Sequence, residues 1–281
     1  MCQSFKTILV PVDFSINTEV AIKKALEVVD RQTGTIHLLH VNHQMKSNII
    51  TVVKRNYQDG YTLPAEQMLS DWKKCMEDSI PTLKVDISLE HHSSIQMCIE
   101  KKTMQLKADL VVIGKKSNHF WLPFLNTVLP NELCEVTGSA VLTVKPGSLH
   151  NKIRTLVVPI TTEVPRYKMD AITALSRKTS LKVYLVTFSD ENNIPADFSA
   201  SALLKVYQWL KDSIHCQVEY SVLHGSNKAK ALMLFAEKIN ADVLLLDTTS
   251  ETRVGWMNRH ISDILEPGSK VQVLALNRTN Y

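Results

Sequence analysis

Lys6–Ser15 reads KTILVPVDFS, an apolar run rich in β-branched residues that stops at an acid and then at a small hydroxyl residue. Continuous apolar runs are typical of strands buried on both faces of a parallel sheet, whereas half-exposed strands alternate in polarity. A carboxylate at the carboxyl end of such a strand lies where open parallel sheets bind ligands. The stretch therefore predicts a central strand and makes Asp13 the first candidate for a ligand-binding residue.

The same pattern returns in the second half of the chain, where Arg154–Thr162 reads RTLVVPITT without the acid. Two later pairs also match: ADLVVIG with ADVLLLD, and AVLTV with VQVLA. The matching pieces lie about 130 to 150 residues apart, which indicates a duplicated domain, since solenoid repeats are much shorter. We expect one domain over residues 1–147 and a second over 152–281, joined by the linker-like stretch PGSLHN.

Apolar strands alternate with amphipathic helices in both halves of the sequence. This order predicts right-handed βαβ units, and so an α/β fold in which a parallel sheet is covered by helices on both faces. The net charge of +4 is too small for a basic surface of the kind that binds nucleic acid. No apolar run is long enough to span a bilayer, and no signal peptide is evident, so we expect a cytoplasmic protein without membrane contact.

The cysteines and histidines do not form a recognisable chemical site. Five scattered cysteines, none in a CxxC pair, argue against disulfides and zinc and favour reduced, mostly buried thiols. His91-His92, and His37 with His40, lie at strand spacings that point their side chains to opposite faces. No base is identifiable for Ser15, which we expect to cap the first helix instead. We therefore expect no metal and no catalytic residue.

Four motifs in order carry a resemblance to a known family: VPVDFS on the first strand, His40-Val41 at the end of the second, ADLVVIG, and AVLTV. Together, and occurring once in each half, they resemble the universal stress protein domain. The resemblance implies a tandem protein with two open five-stranded parallel sheets of order 3-2-1-4-5. Helices would cover both faces of each sheet, as in the adenine nucleotide alpha hydrolase-like fold.

The resemblance also implies where a nucleotide would bind. In the family's nucleotide-binding members an Asp after strand one contacts the adenosine end of ATP. A glycine-rich loop after strand four then holds the phosphates, because glycine admits the anion and a helix N-terminus offers free N–H groups. For ATP with Mg in the first domain, the candidate residues are Pro11, Val12, Asp13, Val41, Gly114, Ser117 and Thr127.

The loop after strand four departs from that pattern. Ser117 stands in place of the second glycine, and Thr127 stands where the closing Gly-Ser or Gly-Thr is expected. Its bulky residues and a proline remove backbone freedom and one amide that phosphate binding would use. The loop is similar to that of the family branch that does not bind ATP. Its apolar side chains are our candidate site for a protein partner or an apolar ligand: Phe120, Trp121 and Phe124.

The second half departs further from the nucleotide-binding pattern. Ile160-Thr161 replaces the acid after the first strand, and Asp247 replaces the first loop glycine. A carboxylate facing a phosphate would cost about 4 kcal/mol per pair of unit charges at about 4 Å with an effective dielectric near 20. That is on the order of a thousandfold in affinity. We therefore expect a degenerate second domain.

These patterns favour a stress-responsive cytoplasmic binding or regulatory protein without robust catalysis. The alternative is an ATP-binding switch or weak ATPase that uses the first domain only. The resemblance implies pairing of domains through their last strands, so we expect AVLTV to meet VQVLA as an intramolecular pseudo-dimer, which would seal two sheet edges. A homodimer and an unidentified protein partner are the further partners expected.

Overall fold

The structure is a computed structural model of the 281-residue chain. It describes residues 4–43, 64–115, 128–160, 164–177, 179–188, 196–225, 227–248, 253–254 and 259–278. None of the helices in these ranges combines the length and the apolar character needed to cross a bilayer.

Strands of the first half are β1 (Thr7–Val12), β2 (Thr35–His43), β3 (Lys84–His92), β4 (Leu110–Gly114) and β5 (Ala140–Val144). Strands of the second half are β6 (Thr155–Pro159), β7 (Lys182–Phe188), β8 (Gln217–Leu223), β9 (Val243–Asp247), β10 (Arg253–Val254), β11 (Arg259–His260) and β12 (Gln272–Leu276). The short β10 and β11 pair with each other only, in antiparallel fashion.

Helices of the first half are α1 (Ile16–Val28), α2 (Ala65–Ser79), α3 (Ile95–Leu106) and α4 (Pro130–Thr137). Helices of the second half are α5 (Arg166–Ser176), α6 (Ala196–Trp209), α7 (Lys228–Lys238) and α8 (Ile261–Ile264). One π-helical turn, Leu210–Ile214, continues α6.

The other ten strands form one sheet with the order β3-β2-β1-β4-β5-β12-β9-β6-β7-β8. Each half has the predicted order 3-2-1-4-5, and all pairs within a half are parallel. The α/β fold class is therefore confirmed. The two sheets are continuous, because β5 and β12 pair in antiparallel register with Leu142 opposite Leu274.

The stretch that resembled a linker is packed. Pro146–Ser148 forms a 3-10 turn in which the Gly147 N–H donates to the Pro267 carbonyl at 2.9 Å. A Cβ at residue 147 would lie 2.2 Å from the Gly268 carbonyl oxygen, so the two backbones touch. The proposed boundary between residues 147 and 152 thus falls in a segment that is fixed to the second half.

Helices cover the sheet on both faces. One core layer runs under α1, α2, α5 and α6 through both halves, and it includes Val10 and Val158. On the opposite face, Leu9 belongs to the layer under α3 and α4, while Val157 belongs to the layer under α7 and α8. Consecutive strand residues are thus buried on both faces, as the unbroken apolar runs predicted. Burial of each of these aliphatic side chains contributes about 1.5–3 kcal/mol to the free energy of unfolding, relative to leaving it exposed to water.

Candidate functional site

The candidate site lies at the carboxyl edge of the first half, between β1 and β4. From β1 the chain crosses to β2 on one side, and β4 lies on the other side. Such a reversal opens a crevice at the carboxyl ends of the strands, where open α/β sheets bind ligands. Asp13 follows β1 directly, and Gly114 is the last residue of β4.

Asp13 is exposed, but one of its carboxylate oxygens already has several donors. Oδ1 accepts from the Ser15 N–H at 3.0 Å, from the Ser15 hydroxyl at 2.5 Å and from the Thr18 hydroxyl at 2.7 Å. The Asp13 N–H in turn donates to Thr18 Oγ1 at 3.0 Å. Asp13 therefore stabilises the turn that leads into α1. To bind a ligand, this oxygen would have to give up hydrogen bonds from Ser15 or Thr18.

Ser15 is the N-cap of α1, as the sequence predicted. Its backbone is extended, and its hydroxyl accepts from the Asn17 N–H at 3.3 Å. A hydroxyl at this position satisfies one of the N–H groups that the first helical turn leaves without a carbonyl. Ser15 Oγ also accepts from Asn17 Nδ2 at 3.1 Å, so Asp13, Ser15 and Asn17 form one chain of hydrogen bonds.

An aromatic cluster covers the ends of β1 and β2. Phe14 has a left-handed backbone, with φ at 56°, which is costly for a bulky side chain. Its ring centroid lies 4.7 Å from that of His40 and 5.5 Å from that of Trp72. His40 Nδ1 lies 2.8 Å from the Val12 carbonyl, so this nitrogen carries the proton. This cluster is not predictable from the sequence, because the turn at Phe14 and the approach of Trp72 depend on the fold.

The other predicted contacts on β1 and β2 do not form a single pocket. Val12 is buried in the core layer under α1 and α2. Val41 packs against the layer under α3 and α4, on the opposite face of the sheet. Pro11 is half-buried within β1 and pairs with Leu39. The structure therefore brings Asp13 and Gly114 to one crevice but separates Val12 from Val41.

Gly114 has a packing role that the sequence did not reveal. A Cβ at this position would lie 1.9 Å from the Asn17 carbonyl oxygen and 2.9 Å from the Asn17 Cβ. The first turn of α1 thus rests directly on the end of β4, and only glycine allows this approach. Asn17 itself is 2 % exposed, and its Oδ1 accepts no hydrogen bond from the described part of the chain.

Lys115, which follows β4 directly, is packed into the fold. It is buried, its N–H donates to the Val144 carbonyl at 3.1 Å, and its Nζ donates to the Val128 carbonyl at 3.3 Å. The remaining predictions on this loop fall outside the residues that the structure describes: Ser117, Phe120, Trp121, Phe124 and Thr127. They stay predictions.

At the carboxyl ends of β6 and β9, the corresponding place in the second half, side chains of that half bind partners within the same half. Asp247, at the end of β9, is 1 % exposed and accepts from the Tyr167 hydroxyl at 2.9 Å. Arg278 Nε lies 3.4 Å from the same carboxylate oxygen. Lys168, third residue of α5 as Thr18 is of α1, donates from Nζ to the Pro159 carbonyl at 2.8 Å. Internal partners thus occupy the place where a phosphate would approach.

Asp109 in the first half and Asp242 in the second half make equivalent hydrogen bonds, each within its own half. Asp109 Oδ2 accepts from the Lys6 N–H at 3.0 Å and from the Thr7 N–H at 2.8 Å. Asp242 Oδ2 accepts from the N–H groups of Arg154 and Thr155, both at 2.9 Å. Each carboxylate therefore fixes the start of the central strand of its half, as expected of acids that turn the chain.

Three of the four cysteines in the described ranges have buried thiols. Desolvation raises the pKa of Cys134 to about 12, and it also raises the pKa values of Cys98 and Cys216. Cys75 is exposed on α2. A thiol with a raised pKa is a poor nucleophile, because the thiolate is the reactive form. Within the described ranges, no three His, Cys, Asp or Glu side chains are grouped to hold a metal ion.

Comparison with known proteins finds one family model that matches within the first half of the chain. Residues 4–126 match the universal stress protein family model, and this match does not extend into the second half. No curated protein matches the sequence.

Solved structures match the whole chain. A universal stress protein from Archaeoglobus fulgidus is 16% identical with a TM-score of 0.65, and the alignment covers 99% of both chains. A functionally unknown protein from Pseudomonas aeruginosa is 13% identical with a TM-score of 0.59, covering 98% of this chain and 94% of that one. The cytoplasmic domain of a prokaryotic cation chloride cotransporter is 12% identical with a TM-score of 0.60, covering 99% and 97%. At such identities these likenesses show the fold alone.

Proposed function

We propose that the chain is a tandem universal stress protein that acts in the cytoplasm as a stress-responsive binding or regulatory protein, without robust catalysis. Its two units are residues 1–147 and residues 152–281. The observation that carries the proposal is the state of Asp13, whose Oδ1 accepts three hydrogen bonds from Ser15 and Thr18. The carboxylate that would recognise the adenosine end of a nucleotide is engaged in building the helix entry.

Two further features support this proposal. The Phe14 ring contacts the rings of His40 and Trp72 in a tilted arrangement at the ends of β1 and β2, so side chains fill part of the edge where a base would lie. In the second half, Asp247 is buried at the end of β9 and is held by Tyr167 and Arg278. A phosphate there would have to displace these internal partners and would meet a like charge.

Regulation by a protein of this type requires a surface for a partner. The loop with Phe120, Trp121 and Phe124 is our candidate, because its sequence clusters bulky apolar residues, and exposed apolar patches mark interaction sites. The antiparallel pairing of β5 and β12 supports an intramolecular pseudo-dimer, since it removes one free edge from each half. The edges that remain belong to β3 and β8. We propose that the tandem unit dimerises further.

The alternative is an ATP-binding switch or weak ATPase that uses the first domain with Mg. Two observations favour it. The family match covers the domain that keeps the acid. Asp13 is exposed at the carboxyl end of β1, next to the end of β4. In this reading Asp13 both shapes α1 and contacts the nucleotide.

Isothermal titration with Mg-ATP separates the two functions. Wild type, Asp13→Ala and, as a control, Asp78→Ala are titrated under the same conditions; Asp78 is an exposed acid on α2. The binding or regulatory proposal predicts no heat in any of the three proteins. Micromolar binding by wild type and by Asp78→Ala, lost in Asp13→Ala, would establish the switch instead.

The partner loop has a separate test. Trp121→Ala is compared with wild type by light scattering and by native mass spectrometry of the freshly purified protein. The proposal predicts a change in oligomer size or in the co-purified ligand. An unchanged oligomer and an unchanged mass spectrum would remove the loop as the partner site.

A further inference from the structure

A cavity of about 490 Å³ lies at the junction of the two halves. Because β5 and β12 are antiparallel, the amino end of β5 meets the carboxyl end of β12. The first half lines the cavity with the segments after α3 and α4, and the second half with α5 and the residues that end β12. Its volume is in the range of small-molecule sites, and it is separate from the crevice beside Asp13.

The lining of this cavity is electrically negative. Helices α3 and α4 both end at it, with Lys107 and Gly138 as their left-handed C-caps. Helix C-termini carry a partial negative charge. The carboxylates of Asp109 and Asp170 add two full charges, and Lys107 is the one cation among the described residues that line the cavity. The balance favours a positively charged group.

The two carboxylates are not equivalent. Asp109 already binds the backbone, since its Oδ2 accepts hydrogen bonds from the N–H groups of Lys6 and Thr7. Asp170 is half-buried on α5, and in the described part of the chain no side chain or backbone N–H donates to it. A half-buried carboxylate forms a strong hydrogen bond when a cationic group or another hydrogen-bond donor binds to it. Asp170 is therefore the side chain to which a cationic ligand would bind.

The rest of the lining mixes polar and apolar residues, and its apolar members are Phe5, Met104, Ala108, Ala140, Ala171 and Leu276. The side chain of Met104 is 52% exposed, so it is accessible to a ligand. Methionine side chains are flexible and adapt well to ligands of different shapes. We infer that this cavity binds a small organic cation, with its ammonium group at Asp170 and its apolar body against Met104 and Leu276. This site goes beyond the proposed function and does not depend on whether the first domain binds nucleotide.

Three probes of the same shape test the inference by titration calorimetry: benzylamine, benzyl alcohol and benzoate. We expect benzylamine to bind about tenfold more tightly than benzyl alcohol, because one charge-assisted hydrogen bond to Asp170 increases affinity by about this factor. We expect no measurable binding of benzoate. Asp170→Asn keeps the shape of the side chain and should abolish the preference for the amine, whereas the control Asp78→Asn should retain it.

Met104→Ala separates the apolar contribution from the charge. It should weaken benzylamine and benzyl alcohol by the same factor and leave their ratio unchanged. Thermal unfolding of each variant shows whether the fold is intact. Binding of benzoate as tight as that of benzylamine, a preference for the amine that survives in Asp170→Asn, or no binding of benzylamine to wild type would each overturn the inference.

Discussion

The backbone of Gly114 lies against the Asn17 carbonyl so closely that a Cβ at residue 114 would stand 1.9 Å from that oxygen. The end of β4 and the first turn of α1 are thus in direct backbone contact. A glycine in this position of the family pattern is expected to serve phosphate binding. In this chain it is required for packing, whether or not a phosphate binds.

Gly114→Ala should therefore destabilise the protein. The new methyl group must push α1 away from the sheet, and overpacking of this kind typically costs about 1–3 kcal/mol. Urea unfolding measures the change in the free energy of unfolding. The matched control is Gly268→Ala, because no atom lies within 4 Å of a Cβ there. Equal stabilities of the two variants would show that the close approach at Gly114 is not real.

Thr18→Val tests the bond that holds Asp13. Valine keeps the shape of this buried threonine but cannot donate to Asp13 Oδ1 or accept from the Asp13 N–H. We expect a loss of about 1–3 kcal/mol in the free energy of unfolding, because a hydrogen bond to a charged group is removed. Thr33→Val, at an exposed position, serves as the control. A Thr18→Val protein as stable as the control would contradict the capping role of Asp13.

His37 should make stability depend on pH. Desolvation, and then the nearby Lys102, lower the pKa of His37 below 6.5 in the folded protein. As the pH falls through 6.5 the unfolded chain takes up a proton that the folded chain resists, so the free energy of unfolding decreases. Above 6.5 this contribution is fully present.

The check is a series of urea unfolding experiments on either side of pH 6.5. Wild type should lose more stability on acidification than His37→Gln, which cannot titrate at this position. His37 Nε2 lies 2.9 Å from the Ser88 hydroxyl, which glutamine can still reach. Parallel pH profiles for the two proteins would rule out His37 as the titrating group.

Thiol reactivity should follow burial. In the folded protein N-ethylmaleimide should modify Cys75, which is exposed, and leave Cys134 unmodified, because its pKa is raised to about 12. After unfolding in urea the two should react at similar rates. Peptide mass spectrometry after a short pulse measures both. Modification of Cys134 as fast as that of Cys75 in the native state would show that the core of the first half is open.

The architecture followed directly from the sequence, whereas the site did so only in part. Unbroken apolar runs predicted the strands, and their repetition predicted the order in each half. The contacts of Asp109 and Asp242 are equivalent in the two halves, as the repeated acid before each of these strands indicates. The two-residue β10 and β11 carry no periodicity that could have revealed them.

Tertiary contacts explain what the sequence could not show. Phe14 adopts a left-handed backbone that is rare for phenylalanine, and its ring meets Trp72 only because α2 packs beside β3 on the same face of the sheet. The role of Gly114 depends on Asn17, and the burial of Lys115 depends on the end of β5. Contacts between residues so far apart in the chain leave no local pattern.

The most direct test of the central claim is calorimetric titration of the wild-type protein with Mg-ATP. The engagement of Asp13 by Ser15 and Thr18 predicts no binding heat, and the same flat titration for Asp13→Ala. Saturable micromolar binding by wild type that disappears in Asp13→Ala would contradict the claim and would identify the first domain as a nucleotide switch.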